Sequence, residues 1–239
     1  MIVDIDVGNT RLKWRVWDGG SVVARGCDPD FSANVQAQIN QIGRPQRIRL
    51  ACVGGEIVVS EVALAAERWG CKIQRAQTTS VAGGVVCGYD KPEQMGVDRW
   101  LAILAAWQAF GRDCVVVDAG SAVTVDLLDR RARHLGGYIA PGLMMMRESL
   151  QVGTARVKVE GEDSGAVGPG CTTVQAVLNG CRLMVAGLVD RAVAQLSGNV
   201  REVKIVVTGG DGELLLPLLS GDVEYVAELV MDGLEVMFP

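Results

Sequence analysis

Asp6-Val7-Gly8-Asn9-Thr10 ends an apolar strand near the start of the chain, and Asp118-Ala119-Gly120-Ser121-Ala122 ends another in its middle. The first is followed by an alternating stretch through Lys13, Trp14, Val16 and Trp17, the second by one through Val123, Val125 and Leu127. Each reads as strand, tight glycine turn, strand, with an acidic residue near the end of the first strand. Glycine lets the backbone turn sharply and aim N–H groups at an anion. Asn9, Thr10 and Ser121 add neutral donors, and Lys13 adds a positive charge. A carboxylate beside such a turn suits Mg²⁺, which prefers carboxylate and water oxygens. One copy alone would be an ordinary hairpin. Two copies suggest a pair that faces across a cleft and holds a metal-bound polyphosphate, the signature expected of an ATP-dependent phosphotransferase.

The copies lie 112 residues apart in a chain of 239, too long for a solenoid repeat and suited to a duplicated domain. Strands are expected at 2–7, 12–17 and 21–26, a helix at 31–42, a strand at 47–53, a helix at 56–69 and a strand at 71–75. A helical stretch follows over 92–110, with Pro92 near its start and Gly111 closing it. The second half repeats the order, with strands at 114–118, 122–128 and 133–139 and a helix after Pro141. A long helix over 172–196, a strand at 203–207, a helix at 212–219 and a closing segment complete the chain. This succession predicts an α/β fold of two ribonuclease-H-like domains, 1–112 and 113–239, hinged near residue 112.

Hydrophobic residues make up 49% and charged residues 21%, the balance of a packed chain rather than a disordered one. A net charge of −5 and a pI near 5.0, without a Lys/Arg cluster, argue against a nucleic-acid groove. Arg130, Arg131 and Arg133 beside Asp129 read as a solvated hairpin tip. Seven cysteines without a CxxC pair, and the single His134, give neither a disulfide framework nor a zinc site. The first strand carries Asp4 and Asp6, unlike a signal peptide, and no apolar run reaches the ~18 residues of a membrane span. A reduced cytoplasm, with no nucleic acid and no membrane, is the expected setting. P-loop and dinucleotide fingerprints are absent. His134 is placed in a polar turn, which leaves no Ser-His-Asp arrangement, and Asp126 is read as a surface carboxylate rather than a further cation ligand.

Gly96-Val97-Asp98-Arg99 opens a helix. An Asp-Arg pair there is either a first-turn carboxylate with a surface salt bridge, or a base and an anionic-substrate anchor on one rigid element. In the long helix an apolar stripe from Val174 to Leu196 is widened by Leu183, Met184 and Ala186, so it is expected to be buried on two sides, by its own domain alone or by a partner subunit as well. Thr208-Gly209-Gly210-Asp211 ends a strand where an adenine ring could lie against bare backbone.

DVGNTRLK at 6–13, GVDR at 96–99, DAGSAVTVD at 118–126, GGYIAPG at 136–142 and TGGD at 208–211, in this order and spacing, resemble type III pantothenate kinases. These belong to the acetate and sugar kinase, Hsp70 and actin superfamily. The resemblance covers almost the whole chain and implies two actin-like ATPase domains forming a central cleft. It implies phosphorylation of the primary hydroxyl of pantothenate by ATP, the first step of coenzyme A synthesis, with Mg²⁺ and K⁺ or NH₄⁺. It also implies a homodimer through helix 172–196. By motif, Asp6, Val7, Gly8, Asn9, Thr10, Arg11, Leu12, Lys13 and Ser121 would contact ATP. Asp6 would hold magnesium directly or through water, and Asp118 the monovalent cation. Asp98 would be the general base. Tyr89, Gly96, Val97, Asp98, Arg99 and Thr173 would line the pantothenate site, with Arg99 toward its carboxylate. The chain departs from the family pattern at Ser121, usually threonine, and at Cys52-Val53-Gly54-Gly55, usually Ser-Val-Val-Pro. Thr172 stands beside Thr173 as an alternative. Two rivals stay open on the residues alone: a non-catalytic nucleotide switch, and a kinase for another small hydroxy acid.

Overall fold

The computed structural model describes residues 1–154, 165, 167–196 and 202–239. Two compact units are present, one of residues 1–83, 89–105 and 229–239, the other of residues 84–88 and 106–228. They are not two consecutive segments meeting at residue 112, because the last eleven residues return to the first unit.

In the first unit β1 (Ile2–Val7), β2 (Leu12–Asp18) and β3 (Ser21–Asp28) pair antiparallel, while β4 (Arg47–Cys52) and β5 (Lys72–Arg75) continue from β1 in parallel. The order is β3-β2-β1-β4-β5. A parallel neighbour needs a crossover, supplied by α1 (Ala33–Ile42) before β4 and α2 (Glu56–Trp69) before β5. Strand alternation then decides what each face buries. Val3, Ile5, Val7, Trp14 and Val16 pack in one apolar core with Val35 and Ile39 of α1 and Val62 and Ala65 of α2. Each large side chain buried this way contributes about 1.5–3 kcal/mol. Trp14 lies over its cross-strand partner Gly26, where a Cβ would come within 2.5 Å of the indole.

The even-numbered face of β1 carries charge. Asp4 is fully buried and accepts from Arg15 Nε at 2.7 Å, Arg49 Nε at 2.6 Å and Trp17 Nε1 at 2.9 Å. The short helix α6 (Leu229–Met237) covers this face: Asp232 accepts from Arg15 at 2.6 Å, and the Phe238 carbonyl from Arg49 at 3.1 Å. Losing one partner of such a buried network costs about 3–5 kcal/mol, because the remaining charge is left uncompensated.

The second unit repeats the topology. Strands β8 (Cys114–Ala119), β9 (Ala122–Asp129) and β10 (Arg133–Pro141) are antiparallel, and β11 (Lys204–Thr208) and β12 (Asp222–Tyr225) continue from β8 in parallel, giving β10-β9-β8-β11-β12. Before these come β6 (Val81–Ala82) and β7 (Val85–Val86), neither expected from the sequence; β7 bridges to β10 between Val86 and Arg133. Helix α3 spans Val97–Phe110, because Pro92–Gln94 forms a separate 3₁₀ turn ahead of it. After α4 (Leu143–Gly153), the long helix α5 (Thr173–Leu196) lays Cys181, Val185, Val189 and Ala192 against Val115, Val117, Val123 and Val125. Ala186 is buried as well, whereas Leu183 and Met184 are exposed by 63% and 66%.

Two expectations need correction here. Residues 212–219 are not a helix but two 3₁₀ turns, Gly212–Leu214 and Leu216–Leu218. Pro217 has no N–H to give to the Glu213 carbonyl, so an α-helical ladder cannot run through it. The closing segment resolves into β12 and α6, which the irregular apolar pattern did not reveal.

Candidate active site

At the first hairpin Asp6 sits in register opposite Lys13. The turn is closed by the Gly8 N–H donating to the Arg11 carbonyl at 3.1 Å, leaving Asn9, Thr10 and Arg11 exposed. The departure at 52–55 lies directly against this turn. Val53 N–H donates to the Val7 carbonyl at 3.1 Å, and a Cβ on Gly54 would stand 3.0 Å from the Gly8 carbonyl oxygen. Gly55, at φ +25°, then opens α2.

At the second hairpin Asp118 is opposite Thr124 on β9 and beside Thr208 on β11. Two other motifs converge here. The Gly142 N–H, from the end of GGYIAPG, donates to the Ser121 carbonyl at 3.2 Å, and the Asp211 N–H, from TGGD, to the Ala119 carbonyl at 2.9 Å. Gly209, at φ +90°, would carry a Cβ 2.6 Å from the Ala119 carbonyl carbon and against the Asp118 carboxylate. Tyr225 donates from its hydroxyl to the Gly209 carbonyl at 3.1 Å. Burial raises the Tyr225 pKa, with the charges of Glu213 and Asp118 adding to it, and burial likewise raises that of Asp211.

The GVDR segment forms the first turn of α3. The Trp100 N–H donates to the Gly96 carbonyl at 3.1 Å, and the Arg99 N–H to Asp98 Oδ1 at 2.8 Å. Gly96 leaves room for that carboxylate, since a Cβ there would be 2.6 Å from Asp98 Oδ1. Arg99 is 6% exposed, so it is not a surface residue; its Nη1 donates to the Tyr89 hydroxyl at 2.8 Å and its guanidinium lies 5.6 Å from the ring centroid. Tyr89 and Arg99, ten residues apart, thus share one place. At the start of α5, the Thr172 hydroxyl accepts the Gln175 N–H at 3.2 Å while the Gln175 side chain accepts the Cys171 N–H at 3.0 Å. Thr172 therefore caps the start of α5, and both Thr172 and Thr173 are exposed.

Sequence reasoning misplaced Asp126 and His134. Neither lies at the surface: they are 1% and 2% exposed and meet at 2.9 Å, Asp126 Oδ1 to His134 Nε2. The hairpin tip beyond them is as expected, with Arg130 and Arg133 exposed and paired to Asp113 and Asp129. Tyr225 was also missed, and no local pattern marks it.

Among the described residues no group of three or more His, Cys, Asp or Glu could hold a metal alone. Mg²⁺ does not require one, since it keeps waters and takes phosphate oxygens with one or two carboxylates. Asp6 beside a turn of backbone donors fits that donor set.

Solved structures with this architecture include a candidate 2-dehydro-3-deoxygalactonokinase from Sinorhizobium meliloti, with TM-score 0.63, 13% identity, and 98% of this chain and 97% of that one covered. MreB 5 of Spiroplasma citri follows at TM-score 0.53 and 10% identity, covering 99% and 95%. The chain therefore has the two-domain actin-like ATPase and sugar-kinase fold. A relative described as type III pantothenate kinase, from Pseudomonas paraeruginosa, is 36% identical over 100% of this chain and 99% of its own length. The profile of type III pantothenate kinase matches residues 2–195. The chain belongs to the type III pantothenate kinase family.

Proposed function

We infer that this chain transfers the γ-phosphoryl group of ATP to the primary hydroxyl of pantothenate, giving 4′-phosphopantothenate, the first step of coenzyme A synthesis. The observation that carries this reading is the family match over residues 2–195, which takes in both acidic hairpins and the Tyr89–Arg99 site. Residues 6–13 and Ser121 contact ATP. Asp6 holds Mg²⁺, directly or through water, and Asp118 holds K⁺ or NH₄⁺; these ions balance phosphate charge when bound. Arg99, buried and oriented by Tyr89, pairs with the pantothenate carboxylate, while Gly96, Val97 and Thr173 complete that site. Asp98 orients the hydroxyl and accepts its proton. With Oδ1 engaged by the Arg99 amide, its carboxylate is held in one orientation, and positioning is the larger part of phosphoryl-transfer catalysis.

The exposed Leu183 and Met184 on α5 support a homodimer through that helix. Seven free cysteines support a reduced, cytoplasmic setting. ATP consumption in potassium buffer, with and without pantothenate, tests the function: ADP should form only with the acceptor present. Acceptor-independent hydrolysis would favour a nucleotide switch, and turnover of a different hydroxy acid would replace the substrate. Asp98→Asn should lower kcat by about 10²–10⁴-fold while retaining ATP binding. An unchanged kcat would remove Asp98 from the mechanism.

A further inference from the structure

Helix α6 meets α3 as closely as two helices can. Gly233 of α6 is buried, and a Cβ on it would stand 2.1 Å from the Leu101 carbonyl oxygen and 2.7 Å from the Leu101 Cα. No side chain separates the two backbones at this point. The distance between packed helices is set by the side chains at the contact, and glycine sets it at its minimum. A second contact lies three residues further along each helix. A Cβ on Gly83 would be 2.8 Å from Val236 Cγ1 and 3.6 Å from Leu104 Cδ2, so these two side chains meet around the same glycine.

The other side of α6 is anchored. Asp232 accepts from Arg15 at 2.6 Å, and the Phe238 carbonyl, just past the helix end, accepts from Arg49 at 3.1 Å. Both guanidiniums also hold the fully buried Asp4. Moving α6 off the sheet would disturb that network, so volume added at the crossing is passed to α3. Leu101 follows Arg99 by two residues and Asp98 by three, about 4.5 Å of helix rise.

We propose that Gly233 is a positioning residue for phosphoryl transfer: through the Leu101 backbone it sets where the first turn of α3 holds Asp98 and Arg99. These residues all belong to one compact unit. The proposal rests on the reading of Asp98 as the base and Arg99 as the carboxylate anchor. It gives a part in the chemistry to a helix that lies beyond the stretch 2–195 matched by the family profile.

Gly233→Ala tests it. Where a helix has room, this exchange stabilises; here the added methyl displaces α3. A misplacement of about 1 Å can cost about 10²-fold in rate. Gly233→Ala should therefore lower kcat/KM for pantothenate by about 10–100-fold. The Kd for ATP, measured by calorimetry without pantothenate, should stay within about twofold. Asp232→Asn weakens the anchor without adding volume at the crossing; it should lower Tm and keep kcat/KM within about threefold. If Gly233→Ala is not recovered folded, Val236→Ala takes its place. It loosens the second contact, and a loss of about 3–10-fold is expected. Asp98→Asn is measured alongside. If Asp98→Asn loses turnover while Gly233→Ala, or Val236→Ala in its place, keeps kcat/KM, the positioning role falls and the site reading stands. If Asp98→Asn keeps its turnover, the site reading falls and takes the proposal with it. A Gly233→Ala loss that extends to ATP affinity, or that Asp232→Asn matches, would also overturn it, showing that α6 acts on stability alone.

Discussion

At the β1–β2 turn Asp6 has Lys13 in register across from it; at the β8–β9 turn Asp118 has Thr124 there, and Gly209, just past the end of β11, lies against its carboxylate. The first hairpin carries its own positive charge. The second has none in its strand and is instead enclosed by backbone from Gly142, Gly209 and Asp211, with Tyr225 behind. Backbone that follows the neighbouring parallel strand closes on both turns, Val53 on the Val7 carbonyl and Asp211 on the Ala119 carbonyl, and only the second adds Gly142 and Tyr225 around it. Duplication preserved the strand order of both sheets, and the division of labour between the turns came from what surrounds them.

Four measurements would break or sharpen this contrast. Lys13→Met should lower kcat/KM by about 10²–10³-fold, because a fixed charge facing the phosphates acts mainly on the transition state. Thr124→Val, at the equivalent register, should change it by about twofold. Equal losses would show that the hairpins share one role. Next, Gly209→Ala combines a left-handed φ with a backbone clash, and should cost about 2–4 kcal/mol, or about 5–15 °C in Tm. Gly54→Ala meets a carbonyl at 3.0 Å and lacks the left-handed φ, so about 1 kcal/mol is expected there. Thermal unfolding followed by circular dichroism reads both.

Tyr225→Phe removes one hydrogen bond to the Gly209 carbonyl and should cost about 1 kcal/mol, an effect without a counterpart at the first turn. The smallest effect is at Asp211. Burial raises its folded pKa above the ordinary 3.8, so the folded state binds its proton more tightly than the unfolded chain. The stabilisation this gives is complete below 3.8 and is lost as pH rises through the raised value. Asp211→Asn should therefore raise Tm slightly at about pH 7 and leave it unchanged at about pH 3. A Tm difference that persists in acid would point to packing instead.

The first sheet was legible because its determinants are local. Alternation in Val3, Ile5, Val7, turn residues at Gly8 and Gly19-Gly20, and a 3.6-residue repeat in α2 specify elements within a residue or two of where they lie. GVDR was legible as a motif, but the surface salt-bridge reading of Arg99 fell only when the structure showed it buried beside Tyr89. What escaped depends on partners distant in sequence. His134 reads as a turn residue until Asp126 and Gly88 enclose it, and Tyr225 acquires a role only from Gly209. The stretch 212–219 has helical hydrophobicity, but Pro217 interrupts the hydrogen bonding that would realise it. The division of the chain escaped as well, because α6 is too short and too apolar to announce which sheet it covers.

The clamp of α6 on Asp4, Arg15 and Arg49 has a temporal consequence. A chain emerging from the ribosome presents its first strand earliest and residues 229–239 only after everything before them has been made. Until then the guanidinium of Arg15 lacks its Asp232 partner, and water must solvate an unfinished charged surface. The amino-terminal layer can therefore begin to assemble during synthesis but reaches its native closure only once residues 229–239 have joined it.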